Sequence, residues 1–445
     1  MFRRTDMPVH RVGRNEAGFL TRQGWCPLSV IDRQGIDHRG ALWKRLDLAL
    51  RIAGRTIRYL GADGFRGSDS PDGNFAAEKP LAETAMLFYV ANGAVLDAAV
   101  RERLDGLVEE LIPYARSERM KWDALLYPTI CLPMCTPHIL LQTMGSKDPE
   151  FDELLAATEA ARASRGHEVG PYRELELIWL RALWRSEVPG RELEETGRKT
   201  ALGNPIDLLH GTREDAYAHT HALMYYTDFG NWKRPLPRPV EEFLGESETV
   251  LARALMVEDY DLAAEALMAW PLTASAWSPA AAFGFLVLGS LEDKIGFLPA
   301  GPPGSKRSLD LAGDEKTRYA LASSYHTAYV MGMLCGLALK PEICLPIRVS
   351  GRVYSAAHIE GLRSFTTKTG AYWEEVFESL GPEEQAALGP FLLEVALMQC
   401  SRKNEFGRMV QLLELAMGSE MADTPLCAQT AEFLSRMSLF RRAGS

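Results

Sequence analysis

Alternating runs of β-branched and polar residues are nearly absent from this chain, which leaves a sheet-based fold little to build on. Clusters of Lys and Arg are also missing, and with a formal net charge of -10 no electrostatic footprint for nucleic acid remains. There is no G-x-x-x-x-G-K-[ST], no H-E-x-x-H, no G-x-S-x-G and no G-x-G-x-x-G after a strand. Nucleotide hydrolysis, zincin chemistry and serine hydrolysis therefore lose their usual signatures. The opening MFRRTDMPVHRVGRNEAG has no apolar core, and the seven cysteines are odd in number, so reduced thiols in the cytoplasm are expected. Two uncharged runs, Tyr319 to Leu339 and Ala269 to Leu291, have the length of a membrane span. The first contains Ser323, Ser324, His326 and Thr327 and the second Pro271 and Pro279, which suits helices buried among helices; no membrane partner is expected.

What is present is ordinary globular material: 445 residues, 47% hydrophobic and 24% charged. Helical spacing dominates. Tyr172 to Trp184 places Leu175, Ile178, Trp179, Ala182 and Leu183 on one face, with Glu174, Glu176 and Arg181 outside. Leu81–Asn92, Val95–Ile112, Val250–Met256, Asp261–Trp270, Phe391–Cys400, Phe406–Met417 and Ala428–Phe440 read the same way, with Asp259 and Asp261 at the N-cap of one helix and Pro271 closing it. Residues 61–80, 230–239 and 299–316 are rich in Gly and Pro and read as loops. The expected architecture is all-α: a polar segment 1–40 with little pattern, then one large helical domain, 41–445. Stacked antiparallel hairpins, either an α/α toroid or a solenoid, suit this pattern.

The densest chemistry lies in Glu214 to Gly230, EDAYAHTHALMYYTDFG. At ~100° per residue, Glu214, Tyr217, His221, Tyr225 and Asp228 fall within roughly 80° of one another. Ala216, Thr220, Leu223 and Thr227 point elsewhere. A solvated face is the plain alternative, but the stripe has no Lys or Arg and two of its members are tyrosines, so a pocket wall or a hydrogen-bonded core network fits better. In the pocket reading His221 is the acid or base, tuned by Asp228 or Glu214, and Tyr217 or Tyr225 supplies a phenol hydrogen bond. Residues seven apart are ~10.5 Å apart along the axis, so His221 cannot chelate one ion together with both acids. His219, four residues after Asp215, is expected to pair with it as a structural or surface contact.

A second helix, within residues 316–339, places Tyr319, Ser323, His326, Val330 and Met333 on one face. If both helices line one cavity, His326 faces His221, with Glu214, Tyr319 and Ser323 as substrate-binding groups; a histidine hydrogen-bonded in the core is the alternative. Cys131, Cys135 and His138 have a C-x3-C-x2-H spacing that suggests a metal, but Pro128, Pro133 and Pro137 break the helix that would align them, and buried core thiols explain them as well. The acids Glu258, Asp259 and Asp261 are accounted for by a helix start. No cofactor is expected.

Thr220 and His221 followed by Thr227, Asp228, Phe229 and Gly230, with Arg173 to Glu176, Trp179 and Leu180 before them and Asp261, Leu262, Trp270, Pro271 and Leu272 after, resemble an actinobacterial family with a domain of unknown function. The resemblance runs from about residue 80 onward. It implies a helical protein and a setting in specialised metabolism, and assigns no catalytic residue. The expected function is cofactor-independent acid/base chemistry, a cyclisation, elimination or isomerisation of a small molecule or modified peptide, with a biosynthetic protein as a further partner. A non-catalytic helical scaffold that binds a peptide or protein is the alternative.

Overall fold

Apolar residues at three- and four-residue spacing form helix throughout, and no strand occurs among the described residues. The computed structural model describes residues 38–61, 78–162, 166, 168–301, 313–346 and 349–443. The expected N-terminal segment up to residue 37, residues 62–77 of the first loop and residues 302–312 of the third lie outside the described residues. The first helices are α1 (His38–Gly61), α2 (Glu78–Asn92), α3 (Ala98–Ala115), α4 (Glu118–Leu126), α5 (Cys131–Met134), α6 (Thr136–Thr143), α7 (Pro149–Arg162), α8 (Pro171–Arg185) and α9 (Arg191–Arg198). The central group is α10 (Arg213–Tyr226), α11 (Val240–Met256), α12 (Tyr260–Leu267), α13 (Ala269–Leu272), α14 (Pro279–Ile295) and α15 (Gly313–Ala338). The chain ends with α16 (Ala356–Phe365), α17 (Tyr372–Ser379), α18 (Pro382–Ala387), α19 (Gly389–Arg402), α20 (Phe406–Gly418) and α21 (Pro425–Ala443).

The local chemistry accounts for the boundaries. α8 opens with Pro171 in its first turn, where the missing N–H costs nothing, and stops where Ser186 turns left-handed at φ 54°. The expected apolar face of α8 is buried, but Glu176 is buried as well, contrary to the outward position that periodicity gives it. α10 starts at a capping box in which Thr212 accepts from the Asp215 backbone and Asp215 returns the bond. Asp215 is thereby used as a cap and does not pair with His219, which instead stacks on Phe243 and bonds Ser247. Asp259 is the N-cap of α12, while Asp261 lies inside the helix. Pro271 does not close this helix; it sits in the short α13, within a first turn where proline is tolerated.

The helices do not form a stack in which each touches only its chain neighbours. α1 and α2 both pack along α15, more than 200 residues later in the chain, and α12 packs on α15 as well. α10 lies against α8 and α12. α2, α8, α10, α12 and α15 thus surround one interior region. Beyond it, α11 and α14 connect to the C-terminal helices α17, α19 and α21. No described helix is long and apolar enough to cross a membrane.

Candidate functional site

A cavity of about 920 Å³ occupies the region between α2, α8, α10, α12 and α15. Its apolar wall includes Met86, Met134, Met224, Phe229 and Met333, and its polar wall gathers Glu83, Glu176, His221, Asp261, Glu265 and His326. All of these side chains come from helices except Phe229, in the turn after α10.

His221 and His326 line the same cavity. They are joined through α12. Asp261 and Glu265 are one turn apart on that helix, each buried to within 4% of full burial, and each lies beside one histidine. His221 Nε2 is 3.3 Å from Glu265 Oε1, and His326 Nε2 is 3.3 Å from Asp261 Oδ2. On its other side His326 Nδ1 is 3.0 Å from Glu83 Oε2. The acid that accompanies His221 is therefore Glu265, from another helix, and neither Asp228 nor Glu214.

Hydroxyl groups hold the far oxygens of both acids. Thr220 donates to Glu265 Oε2 at 2.6 Å, and Thr327 donates to Asp261 Oδ1 at 3.2 Å. Thr220 was expected to point away from the stripe; with α12 packed alongside α10, its hydroxyl reaches the acid that His221 also meets. Tyr217 donates to Asp261 Oδ2 at 2.6 Å and Tyr225 to Glu176 Oε1 at 3.2 Å. Arg173 donates to Glu176, and Arg213 covers the Tyr217 ring while forming two bonds to Asp259.

Charge separates the two histidines. Burial opposes the imidazolium at both, but the two carboxylates flanking His326 overcome it and push that ring well above the usual histidine range. His221 is also raised against burial, by Glu265, while the Arg173 guanidinium pulls the other way. Burial and the neighbouring acids raise both phenols, so Tyr217 and Tyr225 keep their protons and act as donors. Asp261 is held low despite burial, chiefly by His326.

The other expected site residues divide. Glu214 is exposed and lines the cavity, as does Ser323, whose hydroxyl bonds back to the Tyr319 carbonyl. Tyr319 is buried but does not line the cavity. Asp228 is not on the helix. α10 ends at Tyr226, and Asp228, Phe229 and Gly230 all take left-handed φ values of 49°, 49° and 79°. The turn carries the Asp228 carboxylate away from the stripe to Trp179 Nε1 at 2.6 Å, Tyr89 OH at 2.8 Å and Asn231 Nδ2 at 3.1 Å. Cys131, Cys135 and His138 do not gather around a common point: His138 bonds Asp152 and stacks on Phe151, and the Cys131 thiol faces Glu159. Burial pushes the Cys131 thiol up to about 11 and raises Cys135 further, so neither is poised as a thiolate.

The cavity residues that sequence reasoning did not assign to the site include Glu83, Arg173, Glu176, Asp261 and Glu265. The available signal was YDLAAEAL, two acids four apart in an apolar helix that has no Lys or Arg.

Fold and site together define an all-helical protein with a histidine–carboxylate cavity. Residues 47–336 match a domain of unknown function, DUF6895, and the chain belongs to that family. The matched span contains every residue lining the cavity. No curated protein and no solved structure matches the chain.

Proposed function

We propose that this protein is an acid/base enzyme that isomerises, cyclises or eliminates from a small molecule or modified peptide within the α2/α8/α10/α12/α15 cavity. The observation that carries the reading is the pair of unequal histidines in one cavity, each beside a buried carboxylate of the same helix. His326, between Glu83 and Asp261, holds its proton and serves as general acid or as a fixed cation for developing negative charge. His221, bonded to Glu265 with Glu176 further off and the Arg173 guanidinium opposing both, is raised less than His326 and takes the proton. Glu265 orients it and stabilises the imidazolium that forms. No redox cofactor is needed for this chemistry. The methionine and aromatic wall suits a largely apolar substrate.

In this reading Thr220, His221, Thr227, Asp228, Phe229 and Gly230 form an actinobacterial motif that builds the cavity wall and its supporting turn, and the enzyme works in cytoplasmic specialised metabolism. Non-catalytic binding of a peptide or protein is favoured by one observation: Trp122, Leu126 and Tyr127 are more than half exposed, immediately before Thr129 and Ile130 of the cavity lining.

The test begins with native mass spectrometry of the purified chain to identify a co-purifying ligand, followed by turnover assays on that compound. His221→Gln should lower kcat by about 10²–10⁴-fold while leaving ligand affinity within a few-fold. Equal turnover by wild type and His221→Gln would exclude the acid/base role.

A further inference from the structure

Asp261 and Glu265 are presented in a way that acid/base work alone does not require. Each is a buried carboxylate with one oxygen anchored by a threonine from a different helix, Thr327 for Asp261 and Thr220 for Glu265. Each turns its other oxygen toward a histidine nitrogen at 3.3 Å. One donor atom each from Asp261, Glu265 and His326 lie within 4.8 Å of one another, at the cavity surface.

A four-coordinate divalent ion with bonds of about 2.0 Å to oxygen and nitrogen has ligand-to-ligand edges of about 3.3 Å. The Asp261–His326 contact has that length, and the Glu265 donor atom lies within 4.8 Å of both. Threonine hydroxyls that fix the non-coordinating oxygens are the kind of outer support that orients metal-binding carboxylates. The mixed nitrogen and oxygen donor set favours a first-row transition ion over magnesium, which takes oxygen and water. Arg213, 3.9 Å from Asp261 Oδ2, would oppose a cation, but two hydrogen bonds tie its guanidinium to Asp259.

We propose that Asp261, Glu265 and His326 form a binding site for one divalent transition-metal ion, with Zn²⁺ the fitting probe and the remaining coordination position open to the cavity. His326 binds through Nε2 as the neutral imidazole, so metal entry releases the Nε2 proton that otherwise faces Asp261, while the Nδ1 proton stays directed at Glu83. A bound ion would take over the cationic role given above to the His326 imidazolium; the inference rests on reading this cavity as the functional site.

The experiment uses the full chain, stripped with chelator and titrated with Zn²⁺, Mn²⁺ or Mg²⁺ by calorimetry, with bound metal counted by inductively coupled plasma mass spectrometry after desalting. About one equivalent of Zn²⁺ is expected, with Mg²⁺ absent after desalting. Asp261→Asn and His326→Ala should lose it, Thr220→Val should weaken it by about 10–100-fold, and a Cys131→Ser/Cys135→Ser double variant should retain it. Far-ultraviolet circular dichroism verifies that each variant is folded. Failure of the wild-type chain to retain stoichiometric Zn²⁺ overturns the site, as does retention by folded His326→Ala or loss in the cysteine variant. These outcomes are independent of turnover: a chain that binds no metal yet loses activity in His221→Gln refutes the metal site and keeps the acid/base reading, and the converse separates them the other way.

Discussion

Replacing Asp228 by Ala is the perturbation that best separates the fold from the chemistry. The carboxylate is 2% exposed and accepts from Trp179 Nε1, Tyr89 OH and Asn231 Nδ2. Truncation leaves the buried indole N–H and the buried phenol proton without acceptors, at about 1–3 kcal/mol each. Alanine at φ 49° adds about 1 kcal/mol that aspartate and asparagine largely escape. The sum, about 3–7 kcal/mol, is comparable to the whole stability of an average domain. Asp228→Asn keeps an acceptor for Trp179 and Tyr89 and tolerates the turn. It loses charge assistance, but burial already disfavours the ionised carboxylate and raises its pKa, so a cost of about 1–2 kcal/mol is expected. Urea unfolding followed by tryptophan fluorescence measures both. The alanine variant should lower the midpoint by about 1 M or more and the asparagine variant by much less. A folded Asp228→Ala chain with an unchanged midpoint and abolished turnover would refute the structural assignment and return Asp228 to the reaction.

Two further outcomes follow from the same geometry. In chelated protein, His326→Asn should lose the ion pairs to Glu83 and Asp261, with a pH signature. The raised histidine contributes stability that is fully present below about pH 6.5 and fades as pH rises through its folded value, while the lowered Asp261 and Glu83 contribute above about pH 4 and fade on acidification. The stability gap between wild type and variant should therefore be widest at about pH 5–6.5 and narrow in alkali; thermal melts across pH that show it widening in alkali would contradict the clamp. Gly332→Ala should cost about 1–3 kcal/mol, because a Cβ there meets Ala49 Cβ and, at 2.9 Å, Leu87 Cδ1 where α15 packs against α1 and α2. Denaturant titration reads that loss directly.

Helix spacing made the all-α class and the two histidine-bearing helices legible, because a period of 3.6 is written within each segment. It could not mark where α10 stops. Extending the same pitch past Tyr226 put Asp228 on the stripe, whereas Asp228, Phe229 and Gly230 turn left-handed and send that carboxylate to Tyr89 and Trp179. Gly230 was the visible stop signal, since glycine commonly ends helices in that conformation. The acid partners of the histidines were hidden for a different reason: pitch sorts residues within one helix and says nothing about which helix lies opposite.

Charge balance within a helix supplies part of what pitch omits. A buried carboxylate needs a donor or a cation, and if its own helix offers none at three or four residues, the partner must come from elsewhere. Glu176 has Arg173 three residues before it on α8, and the pair closes locally. Asp261 and Glu265 belong to YDLAAEAL, which contains no basic residue, so their burial demanded donors from other elements. Those donors are Tyr217, Thr220 and His221 of α10 and His326 and Thr327 of α15. A helix of mostly apolar residues with two acids on one face and no cation is thus a stronger pointer to a polar site than the histidine stripe itself, because burial without those partners would be prohibitively costly, whereas a solvated stripe costs nothing.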